Sequence, residues 1–140
     1  VLFRSYLKKR YSFNDDSLEI SIEEIASPVI VGDYTLIGWA IENMIKNSID
    51  SIEIDKRIIK VMVDENDKSG IIFIKDNGKG IERHNWNNIF KPGFTTKLRG
   101  WGIGLSLVKR IIEELHYGKI SVFKSQNNKG TAFKIILNKK

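Results

Sequence analysis

Ile71-Ile72-Phe73-Ile74-Lys75-Asp76-Asn77-Gly78-Lys79-Gly80 decides how this chain is read. The apolar run has the length and β-branched character of a buried strand, ending at Lys75. A carboxylate therefore stands at the strand's C-terminal end, with two glycines after it at alternate positions. In open sheets, strand ends are common ligand sites. A carboxylate accepts a hydrogen bond from an exocyclic amine, and glycines without Cβ let a flat ring lie against the backbone. Asp-Asn-Gly is also an ordinary turn, so the rest of the chain has to decide between the two readings.

With 140 residues, the length matches one domain. A chain of that size buries enough surface to hold a core without covalent staples. There are no cysteines, which excludes disulfide frameworks and thiolate metal sites. His84 and His116 lie far apart, which argues against a zinc site. The net charge of +6 favours anionic partners in general. The basic residues are scattered rather than striped and form no recognition motif, which argues against nucleic acid. No apolar run reaches membrane-spanning length and no cleavable signal is visible. The chain starts at Val1-Leu2-Phe3 without methionine and reads as a piece of a longer protein. Its first residues are basic and aromatic (Arg4, Lys8, Lys9, Arg10, Tyr11) and read as a link to a preceding region over 1–17.

Outward from Asp76, the pattern gives an ordered set of elements. Leu18, Ile20 and Ile22 alternate with polar residues, as in a half-buried strand. Asp33 can N-cap a long helix running to about Ile54. Ile58 to Val63 and Ile71 to Lys75 form a hairpin around a polar turn from Asp64 to Gly70. Residues 82–101 mix Gly, Pro, Asn, Thr and aromatics in a long loop with at most a short helix, and long loops in compact domains are usually functional. A second helix runs from Ile103 to His116, with Leu105, Val108, Ile112 and Leu115 on one stripe and Gly118 as its stop. Ile120–Lys124 and Thr131–Leu137 form a last hairpin. The predicted fold class is α+β: a two-layer sandwich, with helices on one face of a mixed, mostly antiparallel sheet.

Four groups of residues carry chemistry. Asn43, Asn47 and Asp50 line one ridge of the first helix, opposite Ile37, Ile41, Met44, Ile45, Ile49 and Ile52. Asparagine is a mediocre helix former. Two on one ridge suit a ligand, and an amide oxygen there could hold hydrated Mg²⁺. A solvated face, with Glu42 and Lys46 as an ordinary pair, reads equally well. Gly100-Trp101-Gly102-Ile103-Gly104 enters the second helix, where converging N–H groups and the helix N-terminus suit phosphate. It is not a Walker loop, because Leu105-Ser106 replaces the lysine tail. In the loop before it, Phe90 and Phe94 could anchor a lid, with Lys97 or Arg99 reaching phosphate oxygens. Gly130-Thr131 opens the last strand and reads alone as a plain turn.

Together these groups resemble the ATP-binding domain of sensor histidine kinases, a branch of the Bergerat-fold superfamily that includes gyrase, MutL and heat-shock chaperone ATPases. Ile41-Glu42-Asn43-Met44-Ile45-Lys46-Asn47-Ser48-Ile49-Asp50 resembles the asparagine box. Asp76-Asn77-Gly78-Lys79-Gly80-Ile81 resembles the first glycine box, and Phe90-Lys91-Pro92-Gly93-Phe94-Thr95-Thr96-Lys97 the phenylalanine box. Gly100-Trp101-Gly102-Ile103-Gly104-Leu105 resembles the second glycine box, and Gly130-Thr131 the short final one. The boxes occur in order within residues 33–137.

The resemblance implies roles by position. Asp76 would accept the adenine amine, with Gly78, Gly80 and Ile81 beside the ring and Thr131 supporting that end. Asn47 would ligate Mg²⁺, with Asn43 contacting phosphate or metal. Gly100, Gly102, Gly104 and Leu105 would line the triphosphate, and Phe90, Thr96, Lys97 and Arg99 belong to the lid. The lysine and tyrosine that many members carry after the metal asparagine are replaced here by Asp50 and Ser51. Lys97, Arg99 and Lys46 stand as alternative phosphate cations. Where gyrase-like ATPases place a glutamate base, this chain has Asn43, which is no base. The resemblance thus implies ATP kept for transfer to a histidine on a separate helical dimerisation domain, with a response regulator further on. It implies a cytoplasmic location and leaves membrane anchoring of the longer protein open.

Overall fold

The computed structural model describes residues 17–94 and 104–140. Five strands form one sheet: β1 (Leu18–Glu24), β2 (Arg57–Glu65), β3 (Ser69–Asp76), β4 (Lys119–Gln126) and β5 (Gly130–Asn138). Their order is β1-β2-β3-β5-β4, and among these strands the β1–β2 pair alone is parallel. A parallel pair needs a crossover, here helix α1 (Tyr34–Ser51). Helix α2 (Gly104–Lys109) continues into a π-helical segment, Arg110–Leu115. Both helices pack on one sheet face. Met44, Ile45, Ile41 and Ala40 from α1 meet Val108, Ile111 and Ile112, over Ile59, Val61, Ile74, Phe133 and Ile135. The expected α+β sandwich is what forms.

Asp33 caps α1, as its position predicts: its Oδ1 accepts from the Leu36 N–H at 2.9 Å. The helix is shorter than the expected run to Ile54. Ile52 is already extended, and Glu53 to Lys56 carry the chain round to β2. The β2–β3 turn is tighter than Asp64 to Gly70, because pairing continues to Glu65↔Gly70. The loop after β3 contains two 3₁₀ turns, Arg83–Asn85 and Asn88–Phe90.

The apolar stripe expected on the second helix breaks at its end. A π turn holds more residues than an α turn, so side chains beyond it are rotated about the helix axis. Ile111 and Ile112 are buried, whereas Leu115 is 54% exposed. The left-handed residue that ends the helix is Tyr117 (φ 56), not the expected Gly118. Gly118 is small for another reason: a Cβ there would strike the Ile136 carbonyl of β5. Its N–H donates to the Ile112 carbonyl at 2.8 Å.

Buried His116 ties the two helices together. Its Nε2 accepts from the Asp33 N–H at 2.9 Å, so Nδ1 carries the proton and donates to the Ile111 carbonyl at 2.7 Å. One ring thus satisfies the N-cap backbone of α1 and the π segment after α2. His116→Ala is expected to lose about 2 kcal/mol of stability in urea unfolding, because it removes a buried ring and its hydrogen bonds to the partly buried Asp33 N–H and the buried Ile111 carbonyl. Nucleotide affinity of the folded variant should stay unchanged, since the ring lies at the opposite end of α1 from Asp76.

Candidate functional site

Asp76 ends β3 on the helix-covered face and is 4% exposed. Its Oδ1 accepts from the Gly78 N–H at 2.8 Å and from the Thr131 N–H at 3.3 Å. Burial pushes the carboxyl above its ordinary range, and the Gly78 N–H, the Ser48 hydroxyl and the Thr131 N–H oppose that rise. Gly130 (φ +117) brings β5 so close that a side chain there would strike the Asp76 carbonyl. The Gly-Thr pair is therefore part of the Asp76 corner and not a plain turn.

The glycines after Asp76 are fixed by their neighbours. A Cβ on Gly78 would come within 2.6 Å of the Ser51 Oγ and 2.9 Å of the Asp76 Oδ1. Gly80 has φ +82, and a side chain there would strike the Gln126 carbonyl of the β4–β5 turn. That turn is tied back by the Asn128 N–H, which donates to the Lys79 carbonyl at 2.9 Å. The last turn of α1 closes the corner from the other side, where the Ser51 carbonyl accepts from the Lys79 N–H at 3.3 Å.

Three polar residues complete this corner without having been singled out from the sequence. Asn77 pins the start of β2: its Oδ1 accepts from the Ile58 N–H at 2.8 Å and its Nδ2 donates to the Lys56 carbonyl at 2.9 Å. The Ser125 Oγ accepts from the Ile81 N–H at 2.7 Å and lies 2.9 Å from the Thr131 Oγ1. Ser48 packs beside Asp76 with its hydroxyl buried. Asparagine in Asp-Asn-Gly was a visible turn signal. The two serines carried no signal, because their surroundings are built by segments far away along the chain.

On the asparagine ridge, Asn47 lies beside the start of α2. A Cβ on Gly104 would lie 3.5 Å from Asn47 Nδ2 and 3.9 Å from its Oδ1, so the Asn47 amide stands directly beside that helix start. Asn43 donates its Nδ2 to the Trp39 carbonyl at 2.8 Å, which leaves its oxygen as the acceptor for a ligand. Two amide oxygens suit a hard, oxygen-preferring ion that keeps most of its shell as water and phosphate. Glu42 is buried, and Lys46 lies 3.7 Å from its Oε1. The Glu42–Lys46 pair expected for a solvated face thus forms, with its acid turned inward.

Phe90 is buried edge-to-face against Phe133 of β5, with ring centroids 6.3 Å apart, and Lys109 Nζ lies 5.8 Å over its ring. It anchors the loop to the core, as does half-buried Phe94. Leu105 likewise packs on the core. Ile81 holds the Trp86 indole, whose Nε1–H donates to the Ile81 carbonyl at 3.0 Å. Thr96, Lys97, Arg99, Gly100 and Gly102 lie outside the described residues. An apolar groove of about 310 Å³ opens at the far end of α1, between Ile22, Pro28, Ile37 and Val63, and contains none of these groups.

A buried carboxylate at a strand end, an asparagine ridge and a glycine-led helix on one side of a five-stranded sheet match a known family. The family model described as histidine kinase-, DNA gyrase B- and HSP90-like ATPase matches residues 32–140. The chain belongs to that family. It is 36% identical over 131 residues to sporulation kinase A of Bacillus subtilis, covering 94% of this chain and 20% of that protein. It is 35% identical over 125 residues to the sensor histidine kinase ZraS of Escherichia coli, covering 87% of this chain and 26% of the relative. The chain therefore spans about a quarter or less of these sensor kinases. A nucleotide-free form of the catalytic domain of histidine kinase ThkA superposes with a TM-score of 0.77 at 27% identity, covering 99% of this chain and 86% of that one. The mycobacterial sensor histidine kinase MprB shares the fold with a TM-score of 0.81 at 23% identity, covering 99% of this chain and 91% of that one. No helix among the described residues is long and apolar enough to cross a membrane.

The Asp76 corner generates two expected outcomes. Because burial raises the folded-state pKa, the folded state holds this proton more tightly than the unfolded chain. The associated stability is fully present below the unfolded pKa and is lost as pH rises through the folded one. Asp76→Asn keeps an oxygen for both backbone donors but carries no buried charge. In thermal unfolding it should be as stable as wild type or more so at pH 7, with the gap narrowing as pH falls. Gly80→Ala should be destabilised by about 2 kcal/mol or more, because it combines a left-handed backbone with a clash at Gln126.

Proposed function

We propose that this chain binds Mg²⁺-ATP and presents the γ-phosphoryl group to a histidine on a separate helical domain. The observation that carries the reading is the Asp76 carboxyl, buried at a strand end with both backbone donors on one oxygen. Oδ2 is then the oxygen for an exocyclic amine. Adenine offers such an amine, whereas guanine would place a carbonyl there and meet repulsion. Thr131, linked to Ser125 and through it to Ile81, holds the wall beside the base.

At the other end of the site, the Asn47 and Asn43 oxygens would hold Mg²⁺ on the phosphates beside the start of α2. The ion would supply charge neutralisation for phosphoryl transfer. Lys97, Arg99, Gly100 and Gly102 belong to this end by family resemblance, and Lys46 is the alternative cation already paired with Glu42. Asn43 cannot deprotonate water, and Glu42 is buried against Lys46, so neither side chain is set to activate hydrolysis. Bound ATP would thus be kept for a protein acceptor. The described histidines fit no acceptor role: His116 is locked between α1 and the π segment, and His84 pairs at 3.4 Å with Glu82 beside the first 3₁₀ turn. The acceptor domain, a response regulator downstream of it and a cytoplasmic location complete the proposal, with no role for nucleic acid.

The test is titration with a non-hydrolysable ATP analogue, with and without Mg²⁺. Wild type should bind in a Mg²⁺-dependent manner, and Asp76→Asn should lose about tenfold or more in affinity while staying folded, as expected for a hydrogen bond to a charged acceptor. Asn47→Ala should abolish the Mg²⁺ dependence. No binding at millimolar nucleotide overturns the proposal. Steady phosphate release by this chain alone, removed by Glu42→Ala, would point to a self-contained ATPase.

A further inference from the structure

The sheet face turned away from the helices carries a polarised patch. Strand alternation puts Phe73 and Lys75 of β3, Lys134 of β5 and Lys119 of β4 on that face, with Ile74, Phe133, Ile135 and Ile120 buried on the other. A bulge between Val122 and Lys124 turns both Phe123 and Lys124 to the open side. The Phe73 and Phe123 rings meet edge to face there, with centroids 5.2 Å apart. Lys134 Nζ lies 5.9 Å over the first ring and 5.5 Å over the second. Phe123 nevertheless remains 55% exposed.

Charge on this face is separated by strand. Its acids, Glu19, Glu23 and Asp64, stand on β1 and β2. Lys56 and Lys60 pair with the two glutamates at 3.8 and 2.9 Å. The half built by β3, β5 and β4 presents Lys75, Lys119, Lys124 and Lys134 without an acid among them. None of these four has an ion-pair partner among the described residues. Three neighbouring strands span only about 10 Å, so the four like charges are crowded. Lysines on an edge strand guard it against pairing with another chain, which accounts for Lys119 and Lys124 on β4. That reason does not reach Lys75 and Lys134, which stand on inner strands, nor an exposed phenylalanine between them.

We propose that this half of the open face rests on an anionic lipid surface. Four unpaired ammoniums are complementary to phosphate and carboxylate headgroups, and Phe123 is the apolar group that enters the interface between them. An acidic peptide fits less well. β3 and β5 are paired on both sides and offer no free strand edge, and the patch holds no arginine fork to fix a carboxylate. Lysines on flexible stems reach headgroups without a set geometry. Asp76 and both helices lie on the opposite face, so the contact leaves the nucleotide end open.

The test is co-sedimentation of the chain with vesicles of phosphatidylcholine, alone or with about 30% phosphatidylserine. Wild type should pellet with the anionic vesicles only, and should be released as salt rises from about 0.05 M to about 0.5 M. Lys124→Glu/Lys134→Glu should lose about tenfold or more in partitioning, and Phe123→Ser about threefold. Thermal unfolding in parallel checks that each variant is folded. Lys75→Gln/Lys124→Gln, which leaves the ring cluster untouched, decides the matter if the first pair does not fold, with a loss of about tenfold expected. Wild type that ignores anionic vesicles overturns the proposal. So does equal pelleting of wild type and folded lysine variants, which would place the contact at other basic residues such as Lys8, Lys9 and Arg10. Binding to polyglutamate or to a thymidine oligonucleotide but not to vesicles also overturns it, and would make the patch a protein or nucleic-acid surface.

Discussion

One buried carboxylate organises this end of the molecule. Asp76 is the last residue of a central strand, and the chain must turn sharply after it, admit β5 beside it and accept the end of α1 above it. Each demand is met by a residue without bulk or with a short polar side chain. Gly78 passes under Ser51 and Gly130 presses on the Asp76 carbonyl, while the N–H groups of Gly78 and Thr131 share one carboxylate oxygen. A carboxylate in such surroundings is costly, and its raised pKa records that cost. A fold retains such a group where its charge has a use, and strained or unfavourable groups of this kind cluster at functional sites.

Helix α1 separates two different environments. Its C-terminal half carries Asn43 and sets Asn47 beside the start of α2 and Ser51 against the Gly78 turn. Its N-terminal half is locked by the Asp33 cap and the His116 ring and borders an apolar groove. The rigid end holds the helix in register so that the polar end can place amide oxygens accurately. The inward-turned Glu42 fits the same division, since an acid paired with Lys46 and removed from water is not a free base at the phosphate end.

Much of this was legible in the residues because it is encoded locally. The Asp33 cap, the period of α1, the alternation of β1 and the strand ending at Asp76 are all patterns within a dozen or so residues. The order of the glycine and asparagine boxes then gave the family. Features that could not be read depend on contacts between distant segments. The π turn leaves Ile111 and Ile112 in the core and Leu115 exposed. Gly118 looked like a helix stop and is instead small to pass the Ile136 carbonyl. Gly80 resembled a ring-side glycine, yet the β4–β5 turn already demands it. Ser125 and Ser48 were silent because a serine reveals nothing until its neighbours are known.

The most direct test of the central claim, that the Asp76 corner is the base end of an ATP site, is amide chemical-shift mapping of the isotope-labelled chain during titration with the Mg²⁺-bound ATP analogue. The largest shifts are expected at the Gly78 and Thr131 amides, which share the Asp76 oxygen, with smaller ones at Asn47 and Gly104 and the Asp33–His116 end unmoved. Shifts centred on the apolar groove at Ile37 and Val63, with Gly78 and Thr131 unaffected, would contradict it.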